Sequence, residues 1–337
     1  MLGSVMVGGF NNDGSEGFHV RIGLQLGPER GRYREKVARM IEAATTAEAQ
    51  GFDTLWMPQI PDDFDALTAL TLIGSATTRA ELGTAVLPIQ SRHPVAMAQQ
   101  VLSTQAVAEG RVALGIGPSH HWIVEDMFGL PYEKPARLVR DYVEVLKVAF
   151  AGPGPVDVEN GSYRVHNPFD ITDIAPTPIL LAALAPLMLK IAGEKADGTI
   201  LWLADDRAIE SHVAPKINAA ADAAGRPQPR IVAGVPVVVC REDQVDEARA
   251  WANRALGHAE YSPNYQRLLE HGDITDVGDM LIAGDESAVA KGLARYRDSG
   301  ATDAAIRVLP YGTDREERIA SRDRTIQLCA DLRAEMA

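Results

Sequence analysis

Short apolar runs and amphipathic helical stretches alternate along this chain. That alternation restricts the fold more than any other feature. Strands are predicted at 20–26, 53–57, 82–87, 111–116, 178–182, 199–203, 230–240 and 304–309. Helices are predicted at 34–50, 65–78, 95–109, 135–149, 186–196, 208–224, 244–256 and 287–299, with a last one over about 314–334. Gly51 and Gly110 close two of these helices, where a left-handed cap is needed. The strands are short and apolar throughout, as expected when both faces of a sheet are covered. Strict strand–helix alternation implies parallel pairing, and eight units favour a closed (β/α)8 TIM barrel over an open sheet.

Three stretches exceed the minimal repeat and are expected as insertions after strand 4 (119–134), after helix 4 (152–177) and after helix 7 (257–284). The second contains Asn160-Gly161 between VDVE and SYRV, a hairpin signal. Residues 1–19 hold five glycines and no Lys or Arg, and are expected to form a flexible leader before one barrel domain over 20–337. The 337 residues suit a barrel plus insertions as well as two smaller domains.

Charge and cysteine usage narrow the function. Lys plus Arg total 33 against 46 Asp plus Glu, a net charge of −13, which repels a phosphate backbone and disfavours nucleic acid. Cys240 and Cys329 form neither a disulfide framework nor a metal-ligand spacing, so a reduced, cytoplasmic setting is expected. The longest apolar run, 178–189, has 12 residues, against the roughly 20 a membrane helix needs.

In a barrel the chemistry sits at the C-terminal ends of the strands. Trp56, Gln59 and Trp202 fall there and suit a flat heteroaromatic ligand held by stacking and hydrogen bonds. For either tryptophan alone, barrel or interface core is the more ordinary reading. The segment Ala182-Ala183-Leu184-Ala185-Pro186 opens a helix: small residues allow close approach, and the free N–H groups suit a phosphate. Plain strand-to-helix packing accounts for the same segment. Gly115-x-Gly117 lacks the third glycine of a dinucleotide fingerprint, because His120 stands there. No G-x-S-x-G occurs. His120, His121, Glu125 and Asp126 match no standard metal site, and no metal is expected. None of the seven lysines ends a predicted strand, which argues against Schiff-base chemistry.

Three motifs together resemble the luciferase-like flavin and deazaflavin oxidoreductases. They are EAQGFDTLWMPQ with DALTAL; LGTAVLPIQSRHP with VAMAQQVLSTQ and GRVALGIGPSH; and PILLAALAPLMLKIAGEKADGTILW. They span about 20–309 in order, and the match is closest to the actinobacterial branch that uses coenzyme F420, an 8-hydroxy-5-deazaflavin. The resemblance implies hydride transfer between F420 and a small organic substrate. FMN is the alternative cofactor, which would make the protein a monooxygenase served by a flavin reductase partner. A non-catalytic flavin-binding barrel is the third reading. A homodimer paired through early helices is also implied.

The resemblance further implies a non-prolyl cis peptide at Ala85–Val86, in a bulge with Leu87 that backs the central ring of the cofactor. It implies cofactor contacts at Gln59, Arg92, Ser119, Ala183, Leu184, Ala185 and Trp202, with His93 completing a basic pair. Related alcohol and sugar-phosphate dehydrogenases carry an Asp-His pair where this chain has Pro58-Gln59-Ile60, which cannot move a proton. The position of a family carboxylate after strand 4 is His120 here. An imidazole gives or takes a proton near neutrality, so His120 is the expected catalytic acid–base group.

Overall fold

The computed structural model describes residues 20–27, 32–169, 171, 175–256, 263–272, 274 and 276–336. The expected leader, 1–19, lies outside the described residues. The chain runs β1 (Arg21–Gln25), α1 (Tyr33–Ala49), β2 (Thr54–Met57), α2 (Ala66–Gly74), β3 (Glu81–Thr84), β4 (Leu87–Pro88), α3 (Pro94–Val107), β5 (Val112–Gly117), α4 (Pro135–Ala151), β6 (Val156–Glu159), β7 (Arg164–Asn167), β8 (Ile179–Leu181) and α5 (Pro186–Lys195). It continues β9 (Gly198–Trp202), α6 (Asp206–Ala208), α7 (Ala214–Ala223), β10 (Arg230–Val239), α8 (Val245–Leu256), α9 (Pro263–Leu269), β11 (Ile282–Gly284), α10 (Glu286–Asp298), β12 (Asp303–Val308) and α11 (Arg315–Met336).

The parallel ring closes in the order β1, β2, β3 with β4, β5, β8, β9, β10, β12 and back to β1. This is the (β/α)8 barrel that the alternation demands. The third strand is broken at Ala85–Val86 into β3 and β4, both of which pair with β5. Besides the β6–β7 hairpin, one described strand lies outside the ring: β11 pairs with residues 237–239 at the far end of β10. Three residues in a mixed stretch carry too little periodicity to mark it in the sequence. The hairpin is present as β6 and β7, but the Asn160 side-chain oxygen accepts from the Ser162 and Tyr163 amides at 3.1 and 2.9 Å. That Asx turn moves the second strand two residues beyond the start of SYRV.

Side chains alternate between the helix layer and the barrel axis. Leu55 and Met57 join the outer core, whereas Trp56 joins Ala113, Leu180, Ile200, Val232 and Ala305 inside the ring. Trp56 is fully buried, its Nε1 donating to Thr54 Oγ1 at 2.8 Å. Gly83 leaves the room: a Cβ there would sit 2.1 Å from the indole. Below the indole, Arg230 reaches Glu81 at 2.9 Å and Asp303 at 2.8 Å, and Arg21 reaches Asp303 at 2.6 Å. All four residues begin or nearly begin their strands, so this ion cluster is the floor of the barrel.

Because Trp56 and Gly83 share one volume, Gly83→Ala is expected to destabilise the fold by about 1–3 kcal/mol through overpacking. Adding Trp56→Phe should give a double variant less destabilised than the sum of the singles. Denaturant unfolding of the four proteins checks this; strict additivity would contradict it.

Candidate active site

The site is built at the C-terminal ends of the strands. The break in the third strand comes first. The Ala85–Val86 peptide is cis and non-prolyl, at the position the motifs indicated. Thr84 Oγ1 donates to the Gly115 carbonyl at 2.7 Å and accepts from the Gly115 amide at 2.8 Å. A Cβ on Gly115 would lie 1.9 Å from the Thr84 carbonyl oxygen, and one on Gly117 would lie 2.8 Å from Ala182. The glycine pair therefore lets β5 pass under the bulge, which explains Gly115-x-Gly117 without any dinucleotide. Ala85 and Val86 pack against the inner cluster, while the Leu87 side chain is buried in the helix-facing core.

Two left-handed residues aim the next groups. Ser119 follows β5 at φ 58° and Leu203 follows β9 at φ 55°. Such a conformation in residues bearing a Cβ is held by its surroundings and is common at functional sites. After Ser119, the His120 ring stacks on Trp122 at 4.3 Å between centroids, 11° from parallel. Tyr265 of α9 approaches the other side at 5.8 Å and belongs to the same apolar cluster as Trp202. Trp202 faces inward above Gly234, where a Cβ would be 2.7 Å from the indole. The inserted segment thus bridges the mouth from the end of β5 to the end of β9.

Burial, and secondarily the neighbouring His121, hold the His120 imidazole below the ordinary histidine range. Burial pushes the Tyr265 phenol up, so it stays protonated. Ser119 contributes its carbonyl, which accepts from Tyr132 Oη at 3.1 Å. Gln90 donates through Nε2 to the Pro118 carbonyl at 2.6 Å, leaving Oε1 buried and without a partner among the described residues.

The Ala183–Ala185 turn lies between these two walls, at the end of β8. Ala183 is buried, and Ala185 is the N-cap of α5 with no side-chain cap. Among the described residues no protein acceptor takes the Leu184 or Ala185 N–H. The expected pocket tryptophan Trp56, by contrast, is core beneath the mouth and unavailable for stacking. The Gln59 carboxamide accepts from the Ala66 amide at 3.0 Å and holds the start of α2. Arg92 is ion-paired with Asp65, which also caps α2 through the Thr68 amide at 3.0 Å. His93 Nδ1 accepts from the Val95 amide at 3.3 Å and caps α3. The basic pair is therefore tied to helix starts. Tyr265, Gln90 and His212 (described below) were not singled out from sequence. His212 is buried beside Ile209 and Val213, while its polar neighbours Glu210 and Ser211 are exposed. Among the cavities that flank the barrel are one of about 420 Å³ beside Arg249 and Arg295 and one of about 690 Å³ between α1, α11 and the ends of β1 and β12. Neither includes His120 or the turn.

The profile of the luciferase-like monooxygenase family matches residues 18–303, and the chain belongs to that family. Two curated relatives narrow the likeness. A putative coenzyme F420-dependent oxidoreductase of Mycobacterium tuberculosis is 31% identical over 197 residues, covering 55% of each chain. The 5,10-methylenetetrahydromethanopterin reductase of Methanopyrus kandleri is 25% identical over 347 residues, covering 89% of this chain and 95% of the relative. The solved structure of the coenzyme F420-dependent tetrahydromethanopterin reductase of that organism superposes with a TM-score of 0.70 at 23% identity, covering 93% and 97%. The FMN-bound oxygenating constituent of a Pseudomonas putida Baeyer–Villiger monooxygenase gives 0.72 at 15% identity, covering 94% and 98%, a likeness of fold. Members of this family are F420- or FMN-dependent oxidoreductases, and this chain shares their barrel. No described helix is long and apolar enough to cross a membrane.

A desolvated His120 stays neutral until the pH drops below the ordinary 6.5. Imidazolium quenches a stacked indole, so Trp122 emission should fall on acidification with a midpoint below 6.5, and His120→Gln should abolish that step. A midpoint at or above 6.5 would contradict the burial assigned to this ring.

Proposed function

We propose that this chain transfers a hydride between coenzyme F420 and a small organic substrate at the barrel mouth. The observation that carries the reading is the turn after β8, where two N–H groups without acceptors among the described residues meet the start of α5, which has no side-chain cap. Such a terminus suits the phosphate of a flavin-type cofactor. Gln90 adds to the fit: with Nε2 committed to Pro118, its buried Oε1 needs a donor, which a hydroxyl or ring N–H of such a cofactor carries. The sequence likeness to a putative F420-dependent oxidoreductase supports the deazaflavin over FMN.

Coenzyme F420, when bound, supplies a deazaflavin carbon that gives or takes a hydride. The chain supplies the rest. The Ala85–Val86 bulge offers a firm apolar surface for a planar ring. The Ala183–Ala185 amides hold the anionic end. Trp122, Tyr265 and Trp202 keep water from the mouth, which strengthens every polar contact beneath them. His120, neutral at pH 7, accepts a proton or donates its N–H at the substrate heteroatom. Leu72 on α2 and Val107 on α3, 36% and 41% exposed, support a homodimer through the early helices. A flavin reductase partner would be required only with FMN.

Fluorescence titration of the purified protein with F420 and with FMN tests the cofactor. Micromolar binding of F420 and weaker binding of FMN is expected. Micromolar binding of FMN alone would make the protein a monooxygenase candidate. With F420 bound, His120→Gln is expected to slow turnover of any accepted substrate about 100-fold or more.

A further inference from the structure

His212 lies in the π-helical turn Ile209–Val213 between α6 and α7 and is 4% exposed. Its Nε2 is 2.9 Å from the Leu184 carbonyl oxygen. A carbonyl only accepts, so Nε2 carries a proton. Nδ1 is buried with no partner among the described residues. Charging the ring would bury an unsatisfied N–H beside the His271 ring, which stacks on it at 4.0 Å and 19°. Burial lowers the pKa of His212; the Leu184 bond opposes that shift, and His271 and Lys216 add to it. The ring is the neutral Nε2–H tautomer.

The consequence runs through one peptide plane. In a trans peptide the C=O and the following N–H point in opposite directions. The only cis bond in the described chain is Ala85–Val86, so Leu184–Ala185 is trans. Holding the Leu184 carbonyl toward the helix layer turns the Ala185 N–H the other way. Thr199 Oγ1 acts alike one strand over, donating to the Leu181 carbonyl at 2.8 Å and lying 3.5 Å from that of Ala183. The carbonyls of this turn therefore face protein donors. A turn built from Leu and Ala lacks the freedom of a glycine turn, so the peptide orientation that His212 holds does not flip easily.

We propose that His212 is a positioning residue. It fixes the Leu184–Ala185 peptide so that the Ala185 N–H receives the phosphate of the cofactor, and His271 of the inserted segment backs its ring. This rests on the cofactor reading above. The role differs from plain packing because it affects only ligands that carry the phosphate.

The test uses two ligand pairs that differ in the phosphate-bearing group: FMN against riboflavin, and F420 against the phosphate-free deazaflavin riboside. Affinities are measured by fluorescence for the wild type, His212→Phe, His212→Gln and Ala185→Pro, with circular dichroism and thermal midpoints as folding controls. Phe keeps a ring but removes the donor; Gln restores an N–H. Proline deletes the Ala185 N–H at a backbone conformation it accepts, φ −81° and ψ 151°. His212→Phe and Ala185→Pro should each weaken the phosphate-bearing ligand about tenfold and leave its phosphate-free partner within about twofold. His212→Gln should recover most of the loss. Equal losses for both members of a pair, or no loss from either variant, would overturn the positioning role while leaving the cofactor reading intact. If the wild type binds neither pair, the cofactor reading fails and the positioning role falls with it. Ala185→Pro keeps the question answerable should His212→Phe not fold.

Discussion

The barrel depends on filling its own interior. Closing eight parallel strands leaves an axis that water must not occupy, and here one indole does most of the filling. Trp56 lies across Gly83, with its N–H satisfied by Thr54. Beneath it the Arg230, Glu81, Asp303 and Arg21 cluster seals the end where the strands begin. Asp303 is 1% exposed, and its two arginine partners offset the cost of burying its carboxylate. With the floor polar and the middle plugged, the C-terminal mouth is the end left for chemistry.

At that mouth the chain uses its insertions as structure. The segment after α8 touches two separate walls: Tyr265 meets His120, and His271 stacks on His212. His212 in turn holds the carbonyl of the turn that opens α5. A proton-transfer candidate and the turn proposed to hold the cofactor phosphate are thus tied to one inserted element. On a body of net charge −13, the groups at this turn without a protein acceptor are backbone N–H dipoles, whereas Arg92 is ion-paired with Asp65.

Much of this was legible from residue patterns. Strand–helix alternation gave the ring, and Gly51 and Gly110 gave helix ends that do adopt left-handed φ values of 101° and 85°. The motif around Thr84 to Pro88 located the cis peptide. Gln59 and Arg92 show the limit. An amide and a guanidinium near strand ends look alike in sequence whether they serve a ligand or a helix start, and here their bonds go to α2. Trp56 shows it too: one residue of strand length separates the barrel core from the mouth. Tyr265 and His271 sit in a stretch without periodicity, and no local signal says which wall they reach.

The sequence by itself determined the repeating units, their parallel pairing and the family, because those follow from local hydrophobic period and contiguous motifs. It also offered His120 as the acid–base candidate, because Gln59 stands where related dehydrogenases carry a proton-transferring pair. Only the tertiary structure decided which inward residues are plug and which are mouth, because that depends on the stagger of neighbouring strands. It alone brought His212 to Leu184, 28 residues away, and Tyr265 to His120. Those contacts arise from closure of the ring, which places the ends of β5, β8 and β9 side by side whatever their separation along the chain.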